Sequence, residues 1–460
     1  METHLRPRPK IIAIAFLMIL ALSISSTSWG YVNAQISHIH STTEQLSTSS
    51  GVGSGTNISS TPFILAGGQN GEWFTPSQTP ALYKVRLSGF GSASNSMPTE
   101  SNSGAVWSGG WNGSDWLITG WGSDDSNGLN PYFDIYDSQA QSELYFSNYT
   151  QDSTAEQEWS GGDVFSATWN GSIWLLTGMG SGVLTPGDGA VNHYSMAFLT
   201  SNGTFIDLSQ SIPQNIDGIL YASSWDGFNW LVGGGWYGFN TGVLYQVTPK
   251  GDIVDLTSMI REWVPDFSAV QSIEWNGTDW MIGGVGFLAL YNPTTGAVYD
   301  LTDALDSVLN ANDSLNNTMT NAVNSIVWTK GTWMLAGGPP VGFEGTEDQT
   351  AWVASFDPQS GQVYDLTSQV IPSSILQGSM SSILSMACDD TGCAFGGFSG
   401  SNPVLIWYNR SSRIDLSYTL TSGNMTYVQW VGVSDVVSIT GSPSIHAPQP
   451  GPRILPLGLH

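Results

Sequence analysis

Short hydrophobic runs separated by polar turns cover most of the chain, and one pattern recurs at intervals of roughly 55 residues. It places two tryptophans five positions apart, with Asn-Gly or Asp-Gly after the first in most copies and a pair of small residues further on. The copies begin at Trp111, Trp169, Trp225, Trp275 and Trp328. Asn-Gly and Asp-Gly supply the positive φ that tight hairpin turns need. The pattern therefore predicts a β-hairpin whose two tryptophans pack across the turn.

A sixth copy keeps this spacing and replaces both tryptophans with Cys388 and Cys393, the only two cysteines of the chain. Side chains that face each other across a hairpin turn lie close enough for a disulfide. A metal-binding or redox pair is the alternative, but the spacing differs from Cys-x-x-Cys and the chain has no further thiol. We therefore predict a disulfide between Cys388 and Cys393.

A second pattern follows each hairpin and consists of a hydrophobic stretch, a Pro/Gly turn and a closing Asp-Leu-Thr or Asp-Leu-Ser sequence. One example runs from Leu288 through Pro293 and Gly296 to Thr302. It predicts two more strands, so that each unit holds four short strands, named a to d in chain order. The recurrent aspartate is interpreted as a turn acceptor at the end of strand d. A short helix is expected within residues 303–315.

Four short strands per repeat are typical of one blade of an all-β propeller. Residues 63–68 and 81–87 match strands b and c of a unit without strand a, and residues 425–430 match the missing strand a. Pairing of the N- and C-terminal strands would close the ring and leave no long sheet edge exposed. This predicts a β-propeller over residues 61–441 with seven four-stranded blades. Six or eight blades are the alternatives, because the terminal units match the pattern least well.

The repeat resembles those of kelch-like and galactose-oxidase-like propellers. The likeness depends on the Gly-Gly pairs after strand b, the Tyr/Phe-x-Pro sequence that ends strand c, and the closing Asp-Leu-Thr. The prominent Trp-Asn-Gly-x-x-Trp hairpin and the absence of a closing tryptophan in strand d depart from the kelch pattern. The resemblance implies that the b–c and d–a loops share one face, which commonly binds partners. It does not imply a reaction, because propellers serve many functions.

The N-terminal segment is typical of an export signal. Arg6, Arg8 and Lys10 precede an apolar run over residues 11–22, and residues 32–34 form a small-residue cleavage site. We predict a signal peptide over residues 1–34, a flexible Ser/Thr-rich lead over residues 35–60 and a Pro-rich tail over residues 442–460. An uncleaved anchor is the alternative. The mature protein is expected to be secreted, either extracellular or at a cell surface, with no membrane span.

The chain is strongly acidic because it is poor in bases. It has a formal net charge of −26, with 11 Lys and Arg against 37 Asp and Glu, and three of the bases belong to the predicted signal. Nucleic acid is therefore excluded as a partner, since no basic patch exists to neutralise phosphates. An acidic surface with few bases also avoids positive self-repulsion at low pH, so we expect the fold to tolerate acid.

Asn-x-Ser/Thr sequons occur along the chain, and an exported protein can carry glycans there. Some of these sequons coincide with the Asn-Gly hairpin turns, where turn chemistry explains the sequence equally well. The glycosylation candidates are Asn57, Asn148, Asn202, Asn409 and Asn424.

The b–c loops vary most between the units and carry the candidate binding residues. Four aromatic side chains are candidates for ligand contacts: Trp121, Trp236, Tyr237 and Phe343. Six acidic residues occupy the same loops: Asp124, Asp125, Asp188, Glu344, Glu347 and Asp348. Solvated loop carboxylates are the simpler interpretation. Calcium binding by Asp124 and Asp125, and a carboxylate pair for glycoside hydrolysis, are the alternatives.

The sequence gives little support for a metal site, a nucleophilic site or a copper centre. His193 is the only one of six histidines within the repeats, so we expect no multi-histidine metal site, no nucleophilic triad and no galactose-oxidase-type copper centre. No cofactor is expected, apart from the calcium alternative.

We therefore favour an extracellular module that binds a glycan or protein and is not an enzyme. A secreted carbohydrate-active hydrolase or lyase and a structural cell-surface component are the alternatives. The sequence does not indicate the oligomeric state.

Overall fold

The structure, a computed structural model, describes part of the chain in detail. The described residues are 63–70, 79–86, 94–95, 103–113, 115–124, 128–137, 142–145, 159, 162–181, 192–201, 203–213, 218–236, 241–265, 267–309, 321–340, 349–377, 380–421 and 425–434. The predicted signal peptide, lead and tail lie outside these residues.

The described strands form seven four-stranded antiparallel sheets arranged as the blades of a β-propeller, which confirms the predicted fold class. Six blades consist of four consecutive strands, and one sheet combines the last strand with the first three. We number this shared sheet blade 1 and the others blades 2 to 7 in chain order. Within each blade the strands are ordered a-b-c-d, and strands a of neighbouring blades contact one another around the ring axis.

The strand bounds follow the repeat. In blades 1 to 7, strands a are β28 (Met425–Ser434), β4 (Ser103–Trp111), β8 (Asp163–Trp169), β12 (Ile219–Trp225), β16 (Val270–Trp275), β20 (Ala322–Thr329) and β24 (Ser381–Cys388). Strands b are β1 (Phe63–Asn70), β5 (Asp115–Asp124), β9 (Ile173–Ser181), β13 (Trp230–Gly235), β17 (Trp280–Gly284), β21 (Thr332–Gly338) and β25 (Cys393–Ser399). Strands c are β2 (Thr79–Arg86), β6 (Gly128–Asp137), β10 (Asn192–Thr200), β14 (Val243–Val247), β18 (Phe287–Asn292), β22 (Trp352–Asp357) and β26 (Asn402–Tyr408). Strands d are β3 (Ser94–Asn95), β7 (Ser142–Tyr145), β11 (Phe205–Asp207), β15 (Ile253–Asp255), β19 (Ala297–Asp300), β23 (Gln362–Asp365) and β27 (Arg413–Asp415).

Short helices follow strand d in several blades. They are a 3-10 turn (Ser209–Ser211), α1 (Thr257–Arg261), α2 (Thr302–Asp306), α3 (Thr367–Val370) and α4 (Tyr418–Thr421). The helix expected within residues 303–315 corresponds to α2, which starts one residue earlier and is one turn long.

The ring closes through the two ends of the repeat array. Strand β28 pairs antiparallel with β1, and Ile64 lies opposite Val433 while Ala66 lies opposite Val431. This is the closure predicted from the N- and C-terminal repeats. Pairing to β28 gives strand β1 a partner on both sides, so the N-terminal repeat has no open edge there.

The hydrophobic core lies between the blades. Six clusters of buried side chains each combine residues of two neighbouring blades. In one of them, Leu175 and Tyr194 of blade 3 pack with Trp230 and Tyr245 of blade 4, and all four side chains are buried. Each blade is therefore stabilised mainly by burial against its neighbours.

The a–b hairpins confirm the predicted aromatic pairing. The paired tryptophans lie opposite each other in the ladder, as Trp225 does to Trp230, and the ring centroids of that pair are 4.5 Å apart. The Asn or Asp after the first tryptophan closes the turn; Asp226 Oδ1, for example, accepts a hydrogen bond from the Asn229 N–H at 2.6 Å. In blade 7 the same positions form the predicted disulfide, Cys388–Cys393.

The closing Asp-Leu-Thr or Asp-Leu-Ser sequence forms the same set of hydrogen bonds in blades 3 to 7, called here the latch. In blade 5, Asp300 Oδ1 accepts a hydrogen bond from the Thr302 N–H at 2.9 Å, which confirms the predicted turn acceptor. The Thr302 hydroxyl accepts the Leu288 N–H at 3.1 Å, and Leu301 N–H donates to the Leu288 carbonyl at 2.8 Å. Equivalent bonds centre on Ser209, Thr257, Thr367 and Ser417. The latch therefore satisfies backbone groups that would otherwise be buried without partners.

A β-bulge recurs near the start of strand a in every blade. In blades 2 to 4 the extra residue is aromatic: Trp107 stacks on Phe165 with ring centroids 5.3 Å apart, and Phe165 meets Tyr221 edge-on at 5.3 Å. In blade 6 it is Asn324, whose side-chain amide donates to the Ile383 carbonyl of blade 7 at 3.1 Å. In blades 2, 3 and 6 the bulge thus directs one side chain of the inner strand towards the next blade.

A carboxyl group is enclosed next to these bulges. Asp163, at the start of β8, is 6% exposed. Burial raises the pKa of this carboxyl from its ordinary value of 3.8 to about 7, although a hydrogen bond with Trp107 acts in the opposite direction. Burial likewise raises the pKa of Glu274 in β16 to about 8, against a hydrogen bond from the Trp328 N–H. Both groups favour the protonated form in the folded protein.

The latch makes a measurable contribution to stability. We expect Thr302→Val to lower the free energy of unfolding by about 1–3 kcal/mol, because it leaves the buried Leu288 N–H without its acceptor. Equilibrium urea unfolding would show a lower midpoint with an unchanged slope. The matched control is Thr295→Val in the exposed turn before β19, where water can replace the lost bonds. Equal midpoints for the two variants would contradict a structural role for the latch.

The enclosed carboxyl predicts a pH dependence of stability. Between about pH 4 and pH 7 the folded chain keeps a proton on Asp163 that the unfolded chain has lost, so stability falls as pH rises through this window. We expect the free energy of unfolding of wild type to fall by up to about 1.4 kcal/mol per pH unit relative to that of Asp163→Asn. Urea unfolding at pH 4, 5.5, 7 and 8 measures the difference. Glu262→Gln, at an exposed position, is the charge-matched control, and parallel profiles for wild type and Asp163→Asn would refute the assignment.

Candidate binding site

The antiparallel order of the strands divides the ring into two faces. Because each blade runs a-b-c-d, the a–b and c–d turns lie on one face, called here the turn face. The b–c and d–a connections lie on the other, called the loop face. The predicted binding residues belong to connections of the loop face.

Two tryptophans of blade 4 are exposed on the loop face. Trp236 directly follows β13 at the start of the b–c loop, and 44% of its surface is exposed. Trp263 follows helix α1 in the d–a connection and is 54% exposed. Eight tryptophans of the described residues are buried, and Trp174, Trp230 and Trp333 are fully so. The two exposed indoles therefore offer apolar surface that the core does not use.

Hydrogen bonds connect the two loops that carry these tryptophans. Arg261, the last residue of α1, donates from Nη2 to the Gly242 carbonyl at 2.9 Å. The Gly242 N–H donates to the Phe267 carbonyl at 3.3 Å, and the Thr241 hydroxyl donates to the Trp236 carbonyl. The b–c loop and the d–a connection of blade 4 are thus held to each other at Gly242, the residue before strand c.

Trp236 was among the residues selected from the sequence, whereas Trp263 was not. The sequence did contain a signal for Trp263: it follows the blade 4 Asp-Leu-Thr sequence within one connection, and that connection belongs to the loop face. Trp263 lies on the d–a side, whereas the aromatic candidates from the sequence all belong to the b–c loops.

Trp121 occupies a different position from the one expected. The sequence placed it in a b–c loop, but the ladder between β5 and β6 continues as far as Asp124, which lies opposite Gly128. Trp121 is consequently a strand residue, opposite Ala105 and Pro131, and it is only partly exposed. Both strands extend beyond the length that the repeat suggested, so only residues 125–127 separate β5 from β6.

The remaining candidates are not placed by the structure. Asp124 ends strand β5, but its side chain is outside the description. Seven further candidates lie outside the described residues: Asp125, Asp188, Tyr237, Phe343, Glu344, Glu347 and Asp348. Within the described ranges, no group of three or more His, Cys, Asp or Glu side chains could hold a metal ion. The calcium and glycosidase alternatives therefore stay predictions.

The sequon asparagines differ in exposure, and some of them close hairpin turns. Asn276 is 7% exposed, and its Oδ1 accepts the Asp279 N–H at 2.7 Å, so turn chemistry accounts for this sequon. Asn409 is exposed in the c–d turn of blade 7, where its Oδ1 accepts the Ser412 N–H at 2.8 Å. The candidates Asn57, Asn148, Asn202 and Asn424 lie outside the described residues.

None of the helices in the described part of the chain is long and apolar enough to cross a membrane. Those helices are single turns that follow strand d.

Comparisons with known proteins find structural likeness only. No family model matches the chain, and no curated protein sequence matches it. A Bacteroides fragilis NCTC 9343 protein named for 6-phosphogluconolactonase has a TM-score of 0.48 and 8% identity, over 83% of this chain and 100% of that one. The extracellular domain of a protein named as a hybrid two-component system from B. thetaiotaomicron has a TM-score of 0.43 and 12% identity, over 69% of this chain and 33% of that one. Pyrococcus horikoshii acylaminoacyl peptidase has a TM-score of 0.43 and 10% identity, over 77% and 52%.

Proposed function

We propose that this chain is an extracellular interaction module that binds a glycan or protein ligand through the loop face of its propeller. The observation that carries the proposal is the exposure of Trp236 and Trp263, at 44% and 54%, on two linked loops of blade 4. Tryptophan is enriched among the residues that contribute most to binding energy, because it buries a large rigid surface at low entropic cost.

The scaffold supports this proposal. Helix α1, which precedes Trp263, starts at the latch residue Thr257, and the Thr257 hydroxyl accepts the Leu244 N–H of strand c at 3.0 Å. A binding residue on a fixed connection loses less conformational freedom when a ligand binds. The Cys388–Cys393 disulfide supports an oxidising location, such as the outside of a cell.

A glycan array with matched variants tests the proposal. We expect the purified protein to bind a subset of glycans, and Trp236→Ala or Trp263→Ala to weaken binding by at least about tenfold, as the loss of a central aromatic contact does. Binding would be measured at pH 4 and pH 7, with analysis of any hit for cleaved products.

Phe228→Ala is the control, since Phe228 is 80% exposed but belongs to the a–b turn on the opposite face. Retained binding in both tryptophan variants, with a loss in Phe228→Ala, would reject the loop face. Cleaved sugar would reject a pure binding role. If no glycan binds, cross-linking through a photoreactive group beside Trp263 distinguishes a protein ligand from no ligand, and the latter would refute the proposal.

A further inference from the structure

A cleft opens on the turn face between blades 6 and 7, away from the two loop-face tryptophans. Its volume is about 410 Å³, within the usual size of small-ligand sites. Its walls are the a–b turns of both blades, the c–d turn of blade 7 and strand residues that include Asp357, at the end of strand c in blade 6, and Cys393 of the disulfide. The residues of the cleft therefore come from parts of the chain that only the ring brings together.

Two cations line this cleft in a chain that has few. Lys330 comes from the a–b turn of blade 6 and Arg410 from the c–d turn of blade 7. The whole sequence has 11 Lys and Arg against 37 Asp and Glu. The Lys330 ammonium also donates to the Asp390 carbonyl of blade 7 at 2.6 Å, so it spans the two blades at the cleft. The lining also includes two carboxylates, Asp357 and Asp389, so the cleft holds two cations beside two anions.

Both cations occupy backbone positions that favour glycine. Lys330 has φ of 51° and Arg410 has φ of 67°, and among the described residues no other non-glycine residue has positive φ. Lys330 lies two residues after the first hairpin tryptophan of blade 6. At the same place blades 2 to 5 have a glycine with φ between 98° and 102°: Gly113, Gly171, Gly227 and Gly277. A side chain there costs about 1–2 kcal/mol in conformational energy. Such a departure from the repeat points to a role for the side chain outside the fold.

The cleft also offers acceptors. Asp389 lines it and uses Oδ1 to accept the Thr391 N–H at 2.7 Å and the Gly392 N–H at 2.9 Å. Its other oxygen, Oδ2, is buried and has no hydrogen-bond partner among the described residues. Buried carboxylate oxygens normally have a donor. Because Oδ2 is buried, a ligand hydroxyl in the cleft would instead reach the partly exposed carboxylate of Asp357, which also lines it.

Aromatic surface completes the lining. Tyr364 is 45% exposed, and Tyr408 lies on the blade 7 side. The Tyr408 hydroxyl donates to Gln369 Oε1 at 3.3 Å, which holds that ring in place. Cations, carboxylates and tyrosine rings in one cleft match a ligand with acidic groups, hydroxyl groups and an apolar ring face.

We propose that the cleft between blades 6 and 7 binds an acidic saccharide, whose carboxylate or sulfate group pairs with Lys330 and Arg410 and whose hydroxyl group donates to Asp357. This site is separate from the loop face. Its cations bind the anionic group through charge-assisted hydrogen bonds, and salt weakens the interaction.

The repeat offers variants that remove the charges without harming the fold. Lys330→Gly and Arg410→Gly place glycine at left-handed positions, so both proteins should fold. Lys330→Gly also removes the exposed bond to the Asp390 carbonyl, which water can replace. The full chain, made in a host that does not glycosylate Asn409, is titrated calorimetrically with three oligosaccharides of matched length. These are oligogalacturonate, sulfated dextran and neutral dextran. We expect binding to one or both acidic probes and none to the neutral one.

Each glycine variant is expected to weaken binding by about tenfold, and the double variant by about a hundredfold, since each removes a charge-assisted hydrogen bond. Lys250→Ala is the control because it removes an exposed cation from the c–d turn of blade 4. Unchanged affinity in the double variant, equal loss in Lys250→Ala, binding of neutral dextran as tight as that of the acidic probes, or no binding of either acidic probe would each overturn the proposal. Trp236→Ala and Trp263→Ala should bind these probes like wild type, which separates the outcome from that of the loop face.

Discussion

Each blade of this ring has two faces to bury, and only the neighbouring blades can cover them. Six hydrophobic clusters accordingly join neighbouring blades in pairs. A gap in the ring would expose one blade face on each side of the gap to water. The pairing of β28 with β1 prevents such a gap, so the two ends of the array are as important to stability as any internal blade.

The backbone groups at the ends of the strands need hydrogen-bond partners, and the repeat provides them in a recurring way. Capped hairpin turns and Asp-Leu-Thr latches give partners to backbone groups at the ends of the strands, and they leave the turns short. On such a regular frame, departures from the pattern are informative. Lys330 and Arg410 occupy left-handed backbone positions that favour glycine, and Trp263 places an indole in solvent. These departures lie on opposite faces, so the scaffold can present two separate surfaces.

The candidate sites were predictable to different degrees. Trp236 could be selected from the sequence because the turn pattern located its loop. Trp121 was wrongly placed in a loop, because ladder length depends on how far two strands stay paired and the repeat does not encode that visibly. The cleft between blades 6 and 7 was not predicted at all. Lys330 and Arg410 belong to different repeats, and each looks like an ordinary turn residue in isolation.

The sequence by itself determined the strands, their order, the hairpin turns, the disulfide and the closure of the ring. These features depend on contacts between residues a few positions apart, or on a repeat whose period is visible, so local physics specifies them. Only the tertiary structure decided which side chains meet across blades. The bulged Trp107, Phe165 and Tyr221 touch one another, and Asp163 is enclosed beside them, because neighbouring inner strands pack around one axis. Their separation by whole repeats hides such contacts from any local pattern.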